Sequence, residues 1–587
     1  MPLMLFTPRS GEMEAGVDVM KLYEEWKGQT LSDPDLTREL AEIAPDPTAI
    51  TERFYRELEF GTGGIRGVLG AGTNRMNVYT IGRATQGLAN YLTARCKSPS
   101  AAIAYDSRNK SELFARHAAC VLAANGIKVY LYPSLAPTPM LSFAVRAKGC
   151  DTGIIVTASH NPAKYNGYKV YDNQGCQIGP EVADVVLAEI EKVDYFTGVR
   201  TADFKEMLAN GGICMLGQDV YEAYYRNVLA QQVNPGLCAN AGFRLVYSPL
   251  NGAGNVPVRE VLERIGISEV TVVPEQEMPD GNFTTCPYPN PEMKEALALG
   301  IALSEKLGAD MLLATDPDCD RVGIAVRGKK GMELFTGNEV GALLLEYLCV
   351  CRTANKTMPE QPVAVKTIVT TELAARIAES YGVELRNVLT GFKFIGEQIA
   401  LLEGEGKPER YLFGFEESYG YLAGTYVRDK DAVVASMLIC EMAAYYKTKG
   451  KTLLDVRAAM YEKYGQYVNV IQNFECEGKS GMERMNEIMS ELRQNPPAQV
   501  NGRKVVRTAD YLLSVERDLI KGAESPITLP KSNVLSYFIE DGGSFIVRPS
   551  GTEPKIKVYH TNTAPTKTEA EAASAAQRET VTKLLGF

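Results

Sequence analysis

Thr152-Gly153-Ile154-Ile155-Val156-Thr157-Ala158-Ser159-His160-Asn161-Pro162 is the stretch on which the fold turns. Its first half is a short apolar run rich in β-branched residues, which predicts a buried strand. Its second half has no hydrophobic period and ends in a turn-forming Asn-Pro pair. A strand therefore delivers a hydroxyl, with little side-chain bulk around it, onto a tight loop, one way to present a serine to a ligand. Taken alone, Ser-His-Asn is also ordinary loop composition, and a solvated turn would read the same way.

The neighbouring segments give that loop a setting. Residues 101–106 read as a buried strand ending in Asp106-Ser107-Arg108, followed by a helix near 111–125 and a strand over 127–132. Such alternation indicates βαβ units and a largely parallel sheet, with functional loops at the carboxyl ends of strands. Ser159 falls at such an end. Downstream, Tyr165-Asn166-Gly167-Tyr168-Lys169 contains an Asn-Gly hairpin signal, so the chain is expected to fold back there and bring Lys169 towards Ser159. Upstream, Gly61-Thr62-Gly63-Gly64-Ile65-Arg66 combines glycines that let a ligand approach the backbone with the fork of donors on Arg66. A flexible surface loop has the same composition.

The strand–loop–helix pattern then restarts twice. Residues 243–248 and 309–314 read as strands, the second running into Asp316-Pro317-Asp318-Cys319-Asp320-Arg321. Residues 362–369 read as a strand, 372–381 as a helix, and 412–415 as a strand entering Glu416-Glu417-Ser418-Tyr419-Gly420, with a helix over 431–447 closing the unit. Three such units imply an α/β fold of three related domains with mixed, largely parallel sheets. The last segment differs: two alternating strands flank Arg548-Pro549-Ser550-Gly551-Thr552, which suits a smaller C-terminal α+β domain. The expected boundaries are a helical N-terminal extension over 1–50, α/β domains over 51–214, 215–334 and 335–467, and the last domain over 468–587. Trp26, the single tryptophan, reads as a packing residue that docks the extension.

Composition narrows the function classes. A chain of 587 residues needs several domains. Its net charge of −10 argues against nucleic acid or an anionic membrane as the main partner. No basic leader is visible, and the richest apolar runs are broken by charge, as in Leu343-Leu344-Leu345-Glu346. Twelve scattered cysteines without a CxxC pair suggest reduced thiols in a cytoplasmic protein. Three histidines, His117, His160 and His560, nearly exclude a multi-histidine metal site.

Asp316, Asp318 and Asp320 alternate, so in an extended loop all three side chains face one way. Two carboxylates about 4 Å apart repel by roughly 4 kcal/mol at an effective dielectric of about 20. Three aimed at one point call for a cation, and hard oxygen ligands suit Mg2+. An EF-hand is rejected, because Arg321 and Arg327 stand where it needs glycine and glutamate. A phosphatase with a strand-end aspartate nucleophile would show the same apolar strand followed by Asp-x-Asp, and a solvated acidic turn also fits. Arg548, Ser550, Gly551 and Thr552 form a compact anion-binding set, with an ordinary hairpin as the plain alternative. Glu416 and Ser418 are the right types for sugar hydroxyls, or for a helix N-cap.

Together these motifs resemble those of the α-D-phosphohexomutases, in order and over nearly the whole chain. Thr157-Ala158-Ser159-His160-Asn161-Pro162 resembles the phosphoserine loop, Asp316 to Arg321 the metal loop, Gly414-Phe415-Glu416-Glu417-Ser418 the sugar-specificity loop, and Arg548 to Pro554 the phosphate loop. The resemblance implies four domains around a central cleft and an intramolecular phosphotransferase that interconverts a sugar 1-phosphate and 6-phosphate. It implies a phosphoryl group on Ser159, and Mg2+ held by Asp316, Asp318, Asp320 and a phosphoserine oxygen of Ser159. It casts Lys169 as general acid and base with His160 assisting, and Arg66 and Arg321 at the reacting end. Arg548, Ser550, Gly551 and Thr552 would grip the other phosphate, Lys393, Glu416 and Ser418 would contact the sugar, and glucose 1,6-bisphosphate would be activator and intermediate. The Glu-Glu-Ser form resembles phosphoglucomutases. Phe415, Tyr419-Gly420-Tyr421 and the N-terminal extension resemble the branch that includes phosphopentomutase-like members. Mannose or pentose phosphates therefore stand as alternatives to glucose. An aspartate phosphatase and a non-catalytic sugar-phosphate-binding protein are the readings from other classes.

Overall fold

A near-continuous apolar strand is stable only with neighbours on both edges and cover on both faces. Strands that meet that description carry the three repeats. In the computed structural model, which describes residues 18–61, 63–476, 478–550 and 555–587, Thr152–Val156, Met311–Thr315 and Tyr411–Glu416 are buried at every position. Each is an inner strand of its sheet. The chain divides into two units, one comprising residues up to Ala136, Ala144–Gly217 and Asp280–Tyr288, the other Pro137–Phe143, Gln218–Pro279 and Pro289–Phe587.

The first unit contains β1 (Gly64–Val68), β2 (Ser100–Tyr105), β3 (Lys128–Leu131), β4 (Thr152–Val156), β5 (Tyr165–Tyr171) and β6 (Ile213–Met215) in one sheet of order β1-β5-β4-β2-β3-β6. Strands β4, β2, β3 and β6 are parallel, and β5 runs antiparallel to both β4 and β1. Three helices precede the sheet: Val19–Gly28, Pro34–Glu42 and Pro47–Phe54. Asp18, Asp33 and Asp46 cap them through side-chain oxygens, and proline follows the last two caps, so each Asp-Pro pair is a helix start. The helical extension thus runs to Phe54, past the expected limit at residue 50. Trp26 is buried and meets Phe54, Tyr79, Tyr195 and Phe196 edge-on at 5.3–5.9 Å, which joins the extension to the first unit.

The second unit has three sheets. The first is built from β7 (Arg244–Ser248), β8 (Glu269–Val272), β9 (Met311–Thr315), β10 (Val322–Gly328) and β11 (Gly331–Leu334), in the order β11-β10-β9-β7-β8. The next is built from β12 (Val363–Thr367), β13 (Glu384–Val388), β14 (Tyr411–Glu416) and β15 (Gly420–Leu422), in the order β13-β12-β14-β15. The sets β2–β5, β7–β10 and β12–β15 share one arrangement. In space the order is fourth, third, first, second; the first three strands are parallel and the fourth is antiparallel. The three-fold repetition is therefore topological. In every copy the connection from the third strand to the fourth is a motif loop: Ser159 after β4, Asp316 to Asp320 after β9, and Glu417 to Tyr419 after β14.

The last sheet contains β16 (Gln466–Glu475), β17 (Gln499–Val500), β18 (Arg503–Asp510), β19 (Val515–Asp518), β20 (Ala523–Pro526), β21 (Leu535–Ile539), β22 (Ser544–Pro549) and β23 (Lys555–Ala564), and it is antiparallel. An apolar cluster of Val369, Leu389, Ala509, Tyr511, Val534, Ile546 and Tyr559 seats it against the sheet that holds β12 and β13. Among the described residues no helix is long and apolar enough to cross a membrane. The twelve cysteines are free thiols.

Candidate functional site

In the first unit, strand β4 ends at Val156 and the chain reverses through Ser159. Ser159 takes a left-handed conformation (φ 51°), unusual for a residue with a Cβ. Its N–H donates to Thr157 Oγ1 (2.8 Å), and its Oγ lies 3.1 Å from His160 Nδ1. Arg66 is exposed on β1, with Gly167 as its cross-strand partner. Asn166-Gly167 is not the hairpin turn that the sequence suggests: both residues lie inside β5, and the reversal is made by the Ser-His-Asn-Pro loop itself. Gly167 is required there for a different reason. A Cβ would meet Thr157 O at 2.4 Å and Ile65 O at 3.1 Å, so a side chain would force apart the strands on either side. Lys169 stands across from Ile155 on one side and Gly64 on the other, which puts it on the strand between the glycine-rich segment and the serine loop.

In the second unit, Asp316, Asp318 and Asp320 are all buried, each with a carboxylate oxygen within 4.8 Å of the others'. They converge through a turn, not through the extended loop expected from their alternation: Cys319 N–H donates to Asp316 O (2.9 Å) and Cys319 has φ 51°. Asp316 Oδ1 accepts from the N–H groups of Asp320 and Arg321, and Asp318 Oδ2 accepts from Thr138 Oγ1. Lys430 and Arg321 lie against the cluster. Lys430 Nζ is 3.0 Å from both Asp320 and Asp429, and Arg321 lies 3.8 Å from Asp320 while donating to Glu292 at 2.8 Å. Burial, with Asp318 and Asp320 beside it, pushes the Asp316 carboxyl well above the usual carboxylate range. Three buried hard oxygen donors in mutual repulsion fit a divalent cation.

The β14–β15 turn adjoins this cluster. Tyr419 O accepts from Val322 N–H at the start of β10. Gly420 makes room for Lys430, whose Cδ would stand 2.2 Å from a Cβ at that position. Glu416 and Ser418 belong to a strand end and a tight turn, so neither caps a helix. Glu416 accepts from Gly391 N–H (3.0 Å), next to Thr390, whose Oγ1 accepts from Arg548 (2.6 Å). Lys393 is the second residue of the helix Phe392–Gly404 that follows, with its Nζ over the Phe394 ring. Ser550 N–H donates to Lys555 O across the β22–β23 connection, while Gly551 and Thr552 lie outside the described residues. Asp320, Lys430, the β14–β15 turn, Gly391 and Arg548 thus form a connected series within one unit.

Burial pushes the Glu416 carboxyl up to about 7, with Glu417 adding to the shift and Lys430 opposing it. Between the ordinary glutamate value and about pH 7 the folded protein holds a proton here that the unfolded chain has released. Excess protons on the native state make stability fall as pH rises through that window. Glu416→Gln keeps an oxygen for Gly391 and stays neutral. Its thermal midpoint is expected to decline less than the wild type's between about pH 5 and about pH 7.5 by calorimetry; equal declines would place the titration elsewhere.

Sequence reasoning missed Thr138, Lys430, Thr390, Glu292 and Arg108. Lys430 had a readable signal, the charged triplet Asp429-Lys430-Asp431 directly before an apolar helix. Arg108 was visible only as the end of Asp106-Ser107-Arg108. Thr138, Thr390 and Glu292 act at long chain separations and carry no local pattern.

Comparison with known proteins gives matches along the chain to the phosphoglucomutase/phosphomannomutase family: alpha/beta/alpha domain I over residues 57–196, domain II over 222–330, domain III over 336–464 and the C-terminal domain over 478–577. A phosphoglucomutase of Staphylococcus aureus strain USA300 is 39% identical over 510 residues, covering 86% of this chain and 90% of that one. Its counterpart in strain MRSA252 is 38% identical over the same length. Among solved structures, a putative phosphomannomutase from Thermus thermophilus superposes with a TM-score of 0.66 at 23% identity, over 91% of this chain and 100% of that one. The open form of the Paramecium phosphoprotein pp63/parafusin gives 0.67 at 18% identity, over 90% of this chain and 95% of that one. At those identities the structures speak for the fold.

Proposed function

The chain belongs to the phosphoglucomutase/phosphomannomutase family, and from that premise we propose that it interconverts glucose 1-phosphate and glucose 6-phosphate through a phosphoserine at Ser159 and glucose 1,6-bisphosphate. The observation that carries this reading is the placement of Ser159. Its Oγ is presented by the loop after an inner strand, in a left-handed turn beside a histidine nitrogen, at the same topological position that holds the aspartate trio and Glu417 to Tyr419 in the other two repeats.

In the forward half-reaction the phosphorus–oxygen bond to Ser159 Oγ breaks and a bond to the sugar hydroxyl oxygen forms. Lys169 takes the proton from that hydroxyl, and His160 serves the proton that Ser159 Oγ needs on departure. Arg66, exposed on β1, supplies a guanidinium fork for the transferring phosphoryl oxygens, with Arg321 as the second cation of the reacting end. Asp316, Asp318 and Asp320 would hold Mg2+, which when bound supplies Lewis-acid polarisation and neutralises phosphoryl charge. Arg548 and Ser550, with Gly551 and Thr552, grip the phosphate that is not reacting. Glu416 and Ser418 accept from sugar hydroxyls, and Lys393 adds a cationic contact. The bisphosphate then presents its other phosphate to the emptied serine and the steps reverse. The free thiols suit the reducing cytoplasm, and the partner required is a small phosphosugar.

Phosphorus NMR of glucose 1-phosphate with Mg2+ and a trace of glucose 1,6-bisphosphate is expected to show conversion to glucose 6-phosphate, with a higher kcat/KM than for mannose 1-phosphate or ribose 1-phosphate. A higher kcat/KM on either competitor would move the specificity to that sugar. Accumulation of free phosphate in place of a sugar phosphate would overturn the mutase reading in favour of Asp316 as a phosphatase nucleophile.

A further inference from the structure

Arg108 is a fully buried arginine that spends its guanidinium on the backbone of the serine loop. Nη2 donates to Ser159 O (2.5 Å) and to Asn161 O, and Nη1 donates to Pro162 O and Tyr165 O, each at 3.1 Å. One planar fork therefore collects four carbonyl groups, starting with that of Ser159 itself. The same loop is tied from the side by Asp106. Its Oδ2 accepts from Thr157 Oγ1 (2.6 Å), which in turn accepts from Ser159 N–H, while its Oδ1 accepts from Arg108 N–H. The Ser159 peptide groups are thus held on both sides by the Asp106–Arg108 pair. A serine with φ 51° has no intrinsic preference for that conformation, so surrounding bonds must impose it.

The far face of Arg108 is also specified. Its guanidinium carbon lies 5.0 Å from the centre of the Phe283 ring. Phe283 is fully buried and has φ 48°, a conformation that a bulky residue adopts only when its environment fixes it. It sits in Asp280–Tyr288, a segment that the sequence places in the second repeat but that belongs to the first structural unit. The segment is braced internally, with Asp280 accepting from the N–H groups of Asn282 and Thr284, and Asn282 Oδ1 accepting from Asn109 Nδ2. A desolvated guanidinium over an aromatic face is attracted to it electrostatically.

We propose that Arg108 and Phe283 are positioning residues for the phosphoryl carrier: the Phe283 ring seats the Arg108 fork, and the fork fixes the left-handed Ser159 from which Oγ is presented. The proposal rests on Ser159 carrying the phosphoryl group. It makes the geometry of a residue in the first repeat depend on a strap supplied by the second. A lysine at 108 keeps the charge but, as a single ammonium group, cannot span four carbonyls in a plane. Leucine at 283 keeps apolar bulk but offers no π face.

The test follows Ser159 directly. Dephosphorylated protein is mixed with glucose 1,6-bisphosphate, phosphoserine formation is timed by intact mass spectrometry, and kcat and KM for glucose 1-phosphate are measured in parallel. In Arg108→Lys the rate of serine phosphorylation and kcat are expected to fall together by about 100-fold, as for a misplacement of about 1 Å, with KM within about twofold. Phe283→Leu is expected to show the same pattern at about tenfold, and Phe283→Tyr, which restores the ring, to recover most of it. A merely structural role would lower the folded fraction and leave the rate per folded molecule intact, and that result overturns the proposal. So does a kcat within twofold of wild type in both variants. If Arg108→Lys does not fold, the Phe283 pair decides alone. Wild-type protein that does not take a phosphoryl group on Ser159 would sink the mutase reading itself, whereas normal wild-type phosphorylation with unaffected variants sinks only the positioning role.

Discussion

Ser159→Ala is expected to lower mutase turnover by roughly 10^4- to 10^6-fold, the scale seen when a covalent nucleophile is removed. If the phosphoryl group passes through Ser159 Oγ, the protein has no second route to a bisphosphate, and tight binding of the sugar phosphate cannot compensate. Stability should stay within about 1 kcal/mol of wild type, because the bonds that shape the loop use backbone groups of residue 159: its N–H donates to Thr157 and its carbonyl accepts from Arg108. Ser159→Thr separates chemistry from conformation. It keeps a hydroxyl but places a β-branched residue at φ 51°, so it should lose turnover too and, unlike alanine, should lose stability. The coupled assay for glucose 6-phosphate, read beside circular dichroism, checks both. An alanine variant that retains more than about a hundredth of kcat would mean that the phosphoryl group travels by another residue.

The serine loop also marks how far the sequence carries. Its strand, its position at a carboxyl end and its kinship with the aspartate and glutamate loops were readable, because a buried central strand must be apolar over its length and a loop must follow it. The three-fold pattern was readable for the same reason, although its shared strand order depends on pairings between segments far apart in the chain. Asn166-Gly167 misled because a dipeptide favoured in hairpins is also what a crowded inner strand needs when two carbonyl groups leave no space for a Cβ. The aspartate trio was found by its alternation, yet the side chains converge through a turn with a left-handed Cys319, so the spacing pointed to the right residues by the wrong geometry. Thr138, Thr390 and Glu292 escaped because their partners lie tens to hundreds of residues away. A long-range hydrogen bond leaves no period in the sequence.

Asp318→Asn is expected to abolish the response to divalent cations and to lower kcat by about 10^2- to 10^3-fold, while making the metal-free protein more stable. The two effects have one cause. Three buried carboxylates with oxygens within 4.8 Å of one another repel by roughly 3 kcal/mol per pair at an effective dielectric of about 20, and burial adds a desolvation cost to that repulsion. Its signature is the Asp316 carboxyl pushed well above its usual range. Asparagine retains an oxygen to accept from Thr138 Oγ1, so that bond survives while the negative charge is removed. Without metal, the variant should gain about 1–3 kcal/mol, reduced from the pairwise figure by the proton the wild-type cluster can hold. With Mg2+ the order reverses: the wild type gains stability as RT ln(1 + [Mg2+]/Kd), whereas the variant, missing one anionic ligand, does not. Thermal unfolding in chelator and across a Mg2+ titration reads all of this without an activity assay. A variant less stable than wild type in chelator, with an unchanged Mg2+ response, would mean that the trio is a structural hydrogen-bonding cluster and that the cation is held elsewhere.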